Sequence, residues 1–541
     1  MASTTSTDGA VTDSDSPHQP SHSARGPRPI VHRYLTFSTD LTSVPHPIPD
    51  SINRDHRHSQ HDAIRRKFSD PQAWTPLRKS LVTYLSCLAT FVTTYTPGAY
   101  AAGFGAYRVE WPGLSSTAVY AGITLFTLCF AAAPMMLASL SELAGRRPLF
   151  LAAGVVFLAS QLGSGVTASF AGLLATRALA GLSCSVFSTV VGGVLSDMYQ
   201  ARERNTAMAI FTGAALCGTG VGPMVSGVVV ERLGWRWIYY VQTISCGVVV
   251  GLLVLFFPET RGSVLLSRRA RALNKWYDAL EGEGGLEAKG TTVRWKVKAD
   301  KERETVGRML KTSVVRPMQL LFTESVVFWF SLWMSFAWTI LYLTFEVVPL
   351  MFARAYDFSP QESGLVFLSV CVASILGTAG AVWQEKLLLT SELKLVARFQ
   401  GQPEARLLFA CGQSILLPAG LFWLGATASP AVHWIVPAVA VGCLTLGIFS
   451  VYLAVFNYLA DTYHTYASSA IAAQAFTRNV FAACLPLAAE PMLDRLGFVS
   501  TGSLLGGVGL GLSAVPWVLV LWGPRIRKRS KLLDPDPQIL G

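Results

Sequence analysis

The sequence predicts an all-α membrane protein whose twelve membrane-spanning helices fall into two sets of six. Three observations predict it. Hydrophobic residues make up 51% of the chain and charged residues 14%. Apolar runs long enough to cross hydrocarbon recur along the chain, and the cations gather in short clusters at alternate ends of those runs. So little charge does not cover the water-facing surface of the several soluble domains that 541 residues otherwise allow.

At the start of the chain, residues 1–79 are rich in Ser, Pro, His and Arg, with no apolar run near Met1, so insertion falls to the first span rather than to a secretory signal. Ser3 to Pro29 bury too little apolar surface to offset chain entropy, and the tail 1–79 is expected to be disordered. A spanning helix needs about 20 mainly apolar residues to cross roughly 30 Å of hydrocarbon. Runs of that kind fall near 80–103, 115–138, 148–167, 170–195, 206–230 and 237–257, a first set within 80–257. Residues 258–322 turn basic and polar and are expected to form a soluble loop. Six more runs lie near 324–351, 363–382, 405–426, 432–459, 467–490 and 498–522, a second set within 323–523, and 524–541 make a short basic tail.

Orientation follows from the cations. Arg65, Arg66, Lys67, Arg78 and Lys79 precede span 1, Arg146 and Arg147 follow span 2, and Arg202 and Arg204 follow span 4, whereas the alternate loops hold only Arg108, Arg232, Arg236, Arg354 and Arg495. Both termini and the central loop are therefore expected in the cytoplasm. The net charge of +11 reads as anchors toward anionic lipid, with no call for a nucleic-acid partner. The nine cysteines occur singly inside apolar runs without CxxC spacing, which predicts neither a metal site nor a disulfide framework.

Three charges lie inside the runs: Arg177 in span 4, Glu346 in span 7 and Arg478 in span 11. Burying an arginine in hydrocarbon costs about 3 kcal/mol on insertion scales, so each must face a polar cavity or a partner. Glu346 and Arg478 either contact cargo or pair with each other, and a glutamate can also carry a proton. Tyr342 and Phe345, with Tyr458, Tyr463 and Phe476, are candidate aromatic walls of a cavity.

Two motifs narrow the reading. The turn after span 2 carries Glu142, Gly145, Arg146 and Arg147, an acid and cations able to pair with neighbouring helix ends in one conformation and release them in another. Span 5 carries Gly218, Gly222, Pro223 and Gly227, small residues that let helices approach closely and a proline that bends the backbone. Both stretches resemble those of the major facilitator superfamily. The span 5 pattern is similar to that of its exporters. With Gly192 to Asp197, Trp235-Arg236-Trp237, Pro258-Glu259-Thr260 and Asn457 to Tyr463, the chain from Trp74 to Trp522 resembles the fungal twelve-span drug:proton antiporters, especially the polyamine and azole exporters.

That resemblance implies two six-helix bundles around a cavity near the bilayer midplane, rocking to expose it to each side in turn. It also implies a transporter rather than an enzyme and a proton-coupling role for Arg177, against the rival reading in which that arginine caps interior carbonyls; the expected location is the plasma membrane. Glu142, Gly145, Arg146, Arg147, Gly218, Gly222, Pro223 and Gly227 are the expected gating residues; Arg177, Glu346, Arg478, Tyr342 and Phe345 are the expected substrate-binding or proton-coupling residues. No G-x-x-x-x-G-K-[ST] occurs, so ATP is not expected as the energy source. The expected partners are a small-molecule substrate, protons and the lipid bilayer, with no cofactor, and the chain is expected to act as a monomer. A multidrug or polyamine exporter and an exporter of one endogenous metabolite both fit these residues; a proton-coupled nutrient importer is supported only by Pro258-Glu259-Thr260-Arg261, and the proline and glycine pattern of span 5 argues against it.

Overall fold

The computed structural model describes residues 30–39, 54–200, 203–282, 292–301, 306–390, 403–463 and 466–527. It resolves into two compact units. The larger contains Phe68–Leu266 and Lys301–Gly541, and the smaller contains Met1–Lys67 and Ser267–Asp300.

In the larger unit, spans 1 to 6 are the helices Pro76–Ala102, Ser116–Ala144, Arg146–Val166, Phe170–Met198, Arg204–Leu233 and Arg236–Phe256. Span 7 is the unbroken helix Ser325–Tyr356. Span 8 begins with the short turn of helix Pro360–Leu365 and continues through Leu368–Thr390. Span 9 is built from Pro403–Leu407, Leu408–Gln413 and Leu416–Ala426, and span 10 is Ile435–Tyr463. Span 11 starts at Ala467–Cys484 and runs on past Pro486 to a break at Gly497, where φ is 74° and ψ 174°. Beyond that break, the rest of Ala489–Leu512 and the helix Ala514–Arg527 make span 12.

Ten segments of the described residues are long and apolar enough to cross a membrane. One of them, Ala467–Gly523, has 57 residues, about 85 Å of helix at 1.5 Å per residue and far more than one crossing needs. Divided at Gly497, it holds two passes. Span 1 falls outside the ten because it is rich in Thr and Ser. Ser86, Thr90 and Thr94 turn their hydroxyls back onto carbonyls four residues earlier, at 2.8, 3.0 and 3.0 Å, so the helix hides its own polar groups. The count is consistent with the twelve helices the sequence predicts.

Spans 1 to 6 pack mainly on one another, as do spans 7 to 12. The two sets meet where span 5 lies on span 8 and span 2 on span 11. Small residues make the first contact close. Gly220 faces Phe367, Val370 and Cys371, Gly227 faces the Pro360 carbonyl, and Gly364 faces the Pro223 carbonyl. A side-chain carbon at any of these positions would collide with the opposite backbone or side chain.

The tail expected to be disordered and the central loop both contain regular structure. In the tail 1–79, Ser3 to Pro29 lie outside the described residues, but Ile30–Tyr34 forms strand β1 and Arg54–Lys67 a helix. In the loop 258–322, Gly262–Gly282 and Val306–Thr323 are helices and Thr292–Lys296 is strand β2. The strands pair in parallel, Ile30 opposite Thr292 and Tyr34 opposite Lys296. Each five-residue strand is too short to stand alone and finds its partner across the whole of the first bundle's sequence, a pairing that local patterns do not reveal. The tail expected from 524 begins as helix through Arg527, and 528–541 lie outside the described residues.

Candidate functional site

The centre of the larger unit is a polar stripe inside an apolar bundle. On span 7, Ser331, Ser335, Trp338, Thr339, Tyr342 and Glu346 recur at helical spacing along a buried face. The hydroxyls of Ser331, Ser335 and Thr339, the Trp338 Nε1 and both Glu346 carboxylate oxygens are buried without a hydrogen-bond partner. Span 11 adds Gln474 and Arg478, four residues apart, with the Gln474 amide and the Arg478 Nε and Nη1 in the same state. An unpartnered buried polar group costs about 1–3 kcal/mol, and more for a charge. A cluster of them on two facing helices makes this stripe the candidate site.

The Arg478 guanidinium lies over the Trp338 ring at 4.4 Å and near the Tyr452 ring of span 10 at 5.3 Å. Among the described residues, no ion pair joins it to Glu346. Trp338 and Glu346 stand eight residues apart, about 12 Å along the helix axis, so the mutual pairing weighed from the sequence does not form here. Tyr342 stands between them, 6.3 Å from Trp338 and 5.5 Å from Phe345. Phe345 leads on to Phe367 of span 8 at 6.1 Å.

Arg177 lies apart, inside the first bundle. Its guanidinium is sandwiched between Tyr100 at 4.6 Å and Phe126 at 4.5 Å. It donates to the carbonyls of Gly122 at 3.4 Å and Thr96 at 3.5 Å. Spans 1, 2 and 4 are thus tied through one side chain. Of the other aromatics, Tyr458 packs on Phe330 and Tyr463 donates to Glu324 at 3.2 Å, both away from the stripe.

Both ends of the stripe are closed. At the end carrying the central loop, Arg204 at the start of span 5 pairs with Asp461 of span 10 at 2.7 Å. Arg406 of span 9 joins the same Asp461 at 3.2 Å and Glu385 of span 8 at 3.9 Å, and Glu385 accepts from Thr206 at 2.7 Å. Asn457 donates to Asn205 in the same layer. At the opposite end, Tyr120 of span 2 donates to Glu490 of span 11 at 3.4 Å, and Arg108 approaches the same carboxylate at 3.6 Å. The Gln361 backbone N–H donates to Glu231 at 3.0 Å, from span 8 to span 5. Glu110, beside this end, is held below the usual carboxylate range by the hydrogen bond from Arg236 at 2.9 Å.

The turn after span 2 is built into the first bundle. Arg146 pairs with Asp197 of span 4 at 3.1 Å and donates its backbone N–H to Glu259 at 2.9 Å. Arg261 reaches Asp197 at 3.3 Å and Glu142 at 3.6 Å, and Arg147 donates to the Val254 carbonyl at 2.9 Å. Gly145 has φ 102°, and the Glu259 carboxylate fills the space a side chain there would take. In span 5, Gly218 faces Phe91 and Thr94, and Gly222 faces Tyr95 and Ala99, all of span 1; Gly98 in turn meets the Pro223 ring. Gly227 faces span 8. The sequence assigns no site role to Trp338, Tyr452, Gln474, Gly220, Arg204, Glu385 or Asp461. The four-residue step from Gln474 to Arg478 was a visible signal, but the partners of Asp461 are not.

The Major Facilitator Superfamily profile matches residues 80–486. The chain is 31% identical over 470 residues to the efflux pump FUB11 of Gibberella moniliformis, covering 86% of this chain and 76% of that protein. It is 32% identical over 464 residues to the major facilitator superfamily multidrug transporter mdrA of Aspergillus fumigatus, covering 85% and 74%. Among solved structures, the proton:xylose symporter XylE superposes with a TM-score of 0.57 at 14% identity, over 83% of this chain and 97% of that one, a likeness of fold.

Proposed function

Because the chain belongs to the Major Facilitator Superfamily, a family of membrane transporters, we propose that it exports small molecules in exchange for protons. The observation that carries this reading is the unpartnered polar stripe of spans 7 and 11, enclosed between two closed ends. A site sealed from both sides is what alternating access requires midway through its cycle. Its chemistry suits the exchange: Glu346 offers a titratable carboxyl without a fixed partner, and Trp338, Tyr342, Phe345 and Tyr452 offer aromatic faces to an amphipathic cargo.

In this mechanism Glu346 takes a proton from the outer side and surrenders it inward, and cargo occupies the stripe while Glu346 is ionised. Arg177 couples to this by holding spans 1, 2 and 4 as one body, and Arg478 fixes the inner end of the site. Drive comes from the proton gradient, without ATP or a bound cofactor. The protein works as a monomer in the plasma membrane with both termini and the central loop in the cytoplasm. The similarity to an efflux pump and a multidrug transporter supports the outward direction.

A dedicated exporter of one endogenous metabolite is the second reading, favoured by Arg478 as an anion-binding group at the stripe. Metabolite profiling inside and outside cells with and without the gene, together with a drug-resistance panel, separates the two. Broad hypersensitivity on deletion is expected for the multidrug reading, whereas one retained compound with unchanged drug resistance would replace it with the dedicated one.

A further inference from the structure

The smaller unit joins two segments that the chain keeps far apart. Strand β1 comes from the tail ahead of span 1, and β2 from the loop between the two bundles. Beyond the paired strands, the Leu35 N–H donates to the Lys296 carbonyl at 2.9 Å. On its other edge, β2 is closed by one side chain: Asn274 accepts the Trp295 N–H at 2.8 Å and donates to the Trp295 carbonyl at 2.9 Å. Leu35, Leu273, Tyr277 and Trp295 are buried, and His61 of the tail helix meets the Trp276 ring edge-on at 4.9 Å. Tail and loop thus complete one small core that neither segment contains alone.

From β2 the loop leads almost at once into a helix at the bundle seam. Only the short stretch after Lys296 separates the strand from the helix Val306–Thr323. That helix, part of the larger unit, packs against span 2 of one bundle and span 11 of the other. Its Arg316 lies 5.5 Å from the Tyr466 ring at the start of span 11. Its end leads through Glu324 directly into span 7. It is therefore a helix laid across the seam between bundles at their loop end, and it has to leave one of them before that end can open.

We infer that the tail–loop pairing is an autoinhibitory clasp. A folded segment tethered a few residues from the seam helix removes slack from the linker and so narrows the positions that helix can reach. Closing the clasp favours the state in which the seam helix bridges both bundles, and opening it frees the helix to let the loop end part. A two-stranded sheet is marginally stable by itself, so the clasp opens at small cost and is suited to control by whatever displaces the tail.

The test uses the full-length protein in lipid nanodiscs, with Cys484→Ser removing the exposed native thiol. Val31→Cys with Val293→Cys places thiols at paired positions of β1 and β2, to be joined by copper phenanthroline and released by dithiothreitol. Hydrogen exchange of the Val306–Thr323 peptide is then read by mass spectrometry, a measurement independent of what is transported. Cross-linking is expected to slow exchange in that helix several-fold and Val31→Pro to speed it, with the cross-linked effect reversed on reduction. Failure of the pair to cross-link would overturn the clasp. Exchange that is the same in the cross-linked, reduced and Val31→Pro proteins would overturn its link to the seam helix, and with it the inhibition.

Discussion

Arg177 and Arg478 meet the same difficulty, a cation inside an apolar bundle, in different surroundings. Arg177 donates Nε and Nη1 to two backbone carbonyls between two ring faces of its own bundle and leaves Nη2 unmet, whereas Arg478 has ring faces and leaves both Nε and Nη1 unmet. Arg177→Lys is therefore expected to lower stability, because a compact ammonium lacks the planar fork that reaches Gly122 and Thr96 while stacking between rings. A loss of about 1–3 kcal/mol results if those carbonyls go unmet, read as a lower melting temperature in detergent. Arg478→Lys should leave melting nearly unchanged and weaken cargo binding. For Glu346→Gln, uphill export driven by an imposed proton gradient in proteoliposomes should vanish while cargo exchange at equal pH persists; a normal uphill gradient would remove Glu346 from the proton path. The three buried charges were legible in the sequence because hydrocarbon makes any charge conspicuous. Their separation was not, since whether Glu346 meets Arg478 depends on the height at which span 11 crosses span 7.

Among the elements, span 5 shows how one helix serves two neighbours. Gly218 and Gly222 bring it against span 1, and Gly220 and Gly227 bring it against span 8, so alternate glycines face opposite partners. Gly222→Leu should loosen the first bundle and depress folding yield. Gly220→Leu should leave that bundle intact and impede closure at spans 5 and 8, costing about 1–3 kcal/mol in the closed state through overpacking. Faster thiol labelling of a cysteine placed in the stripe would report it, and unchanged labelling would show that this contact does not limit closure. The glycine motif was readable as a close-packing helix, but the glycine between its named positions was not, because sequence does not say which side meets which helix. Span boundaries came within about eight residues, span 8 running on from 382 to Thr390, for the same reason that the strands were missed. Hydrophobic length is a local property, and β-pairing across the first bundle is not.

At the scale of the whole molecule, the loop end is held by a network centred on Asp461, and the opposite end by one centred on Glu490. Asp461→Asn should bias the transporter toward opening at the loop end. A coupling of about 1–3 kcal/mol would change that population roughly 5- to 150-fold, measured by reactivity of a cysteine near Asn457 toward a membrane-impermeant reagent. Arg204→Gln should raise that reactivity in the same way while leaving the Arg406–Asp461 pair in place; unchanged reactivity would place the effect elsewhere. A likeness between the halves gives these residues their meaning. Asp197 at the end of the fourth helix of one bundle holds Arg146 from the start of the third, and Asp461, at the corresponding place in the other, holds Arg406 in the same way. The second arginine differs. Asp197 takes Arg261 from its own half, and Asp461 takes Arg204 from across the seam. The same joint thus serves as a rivet on one side and as rivet and lock together on the other, so matched substitutions at the twin aspartates should part company, the first softening one half and the second also unfastening the two halves from each other.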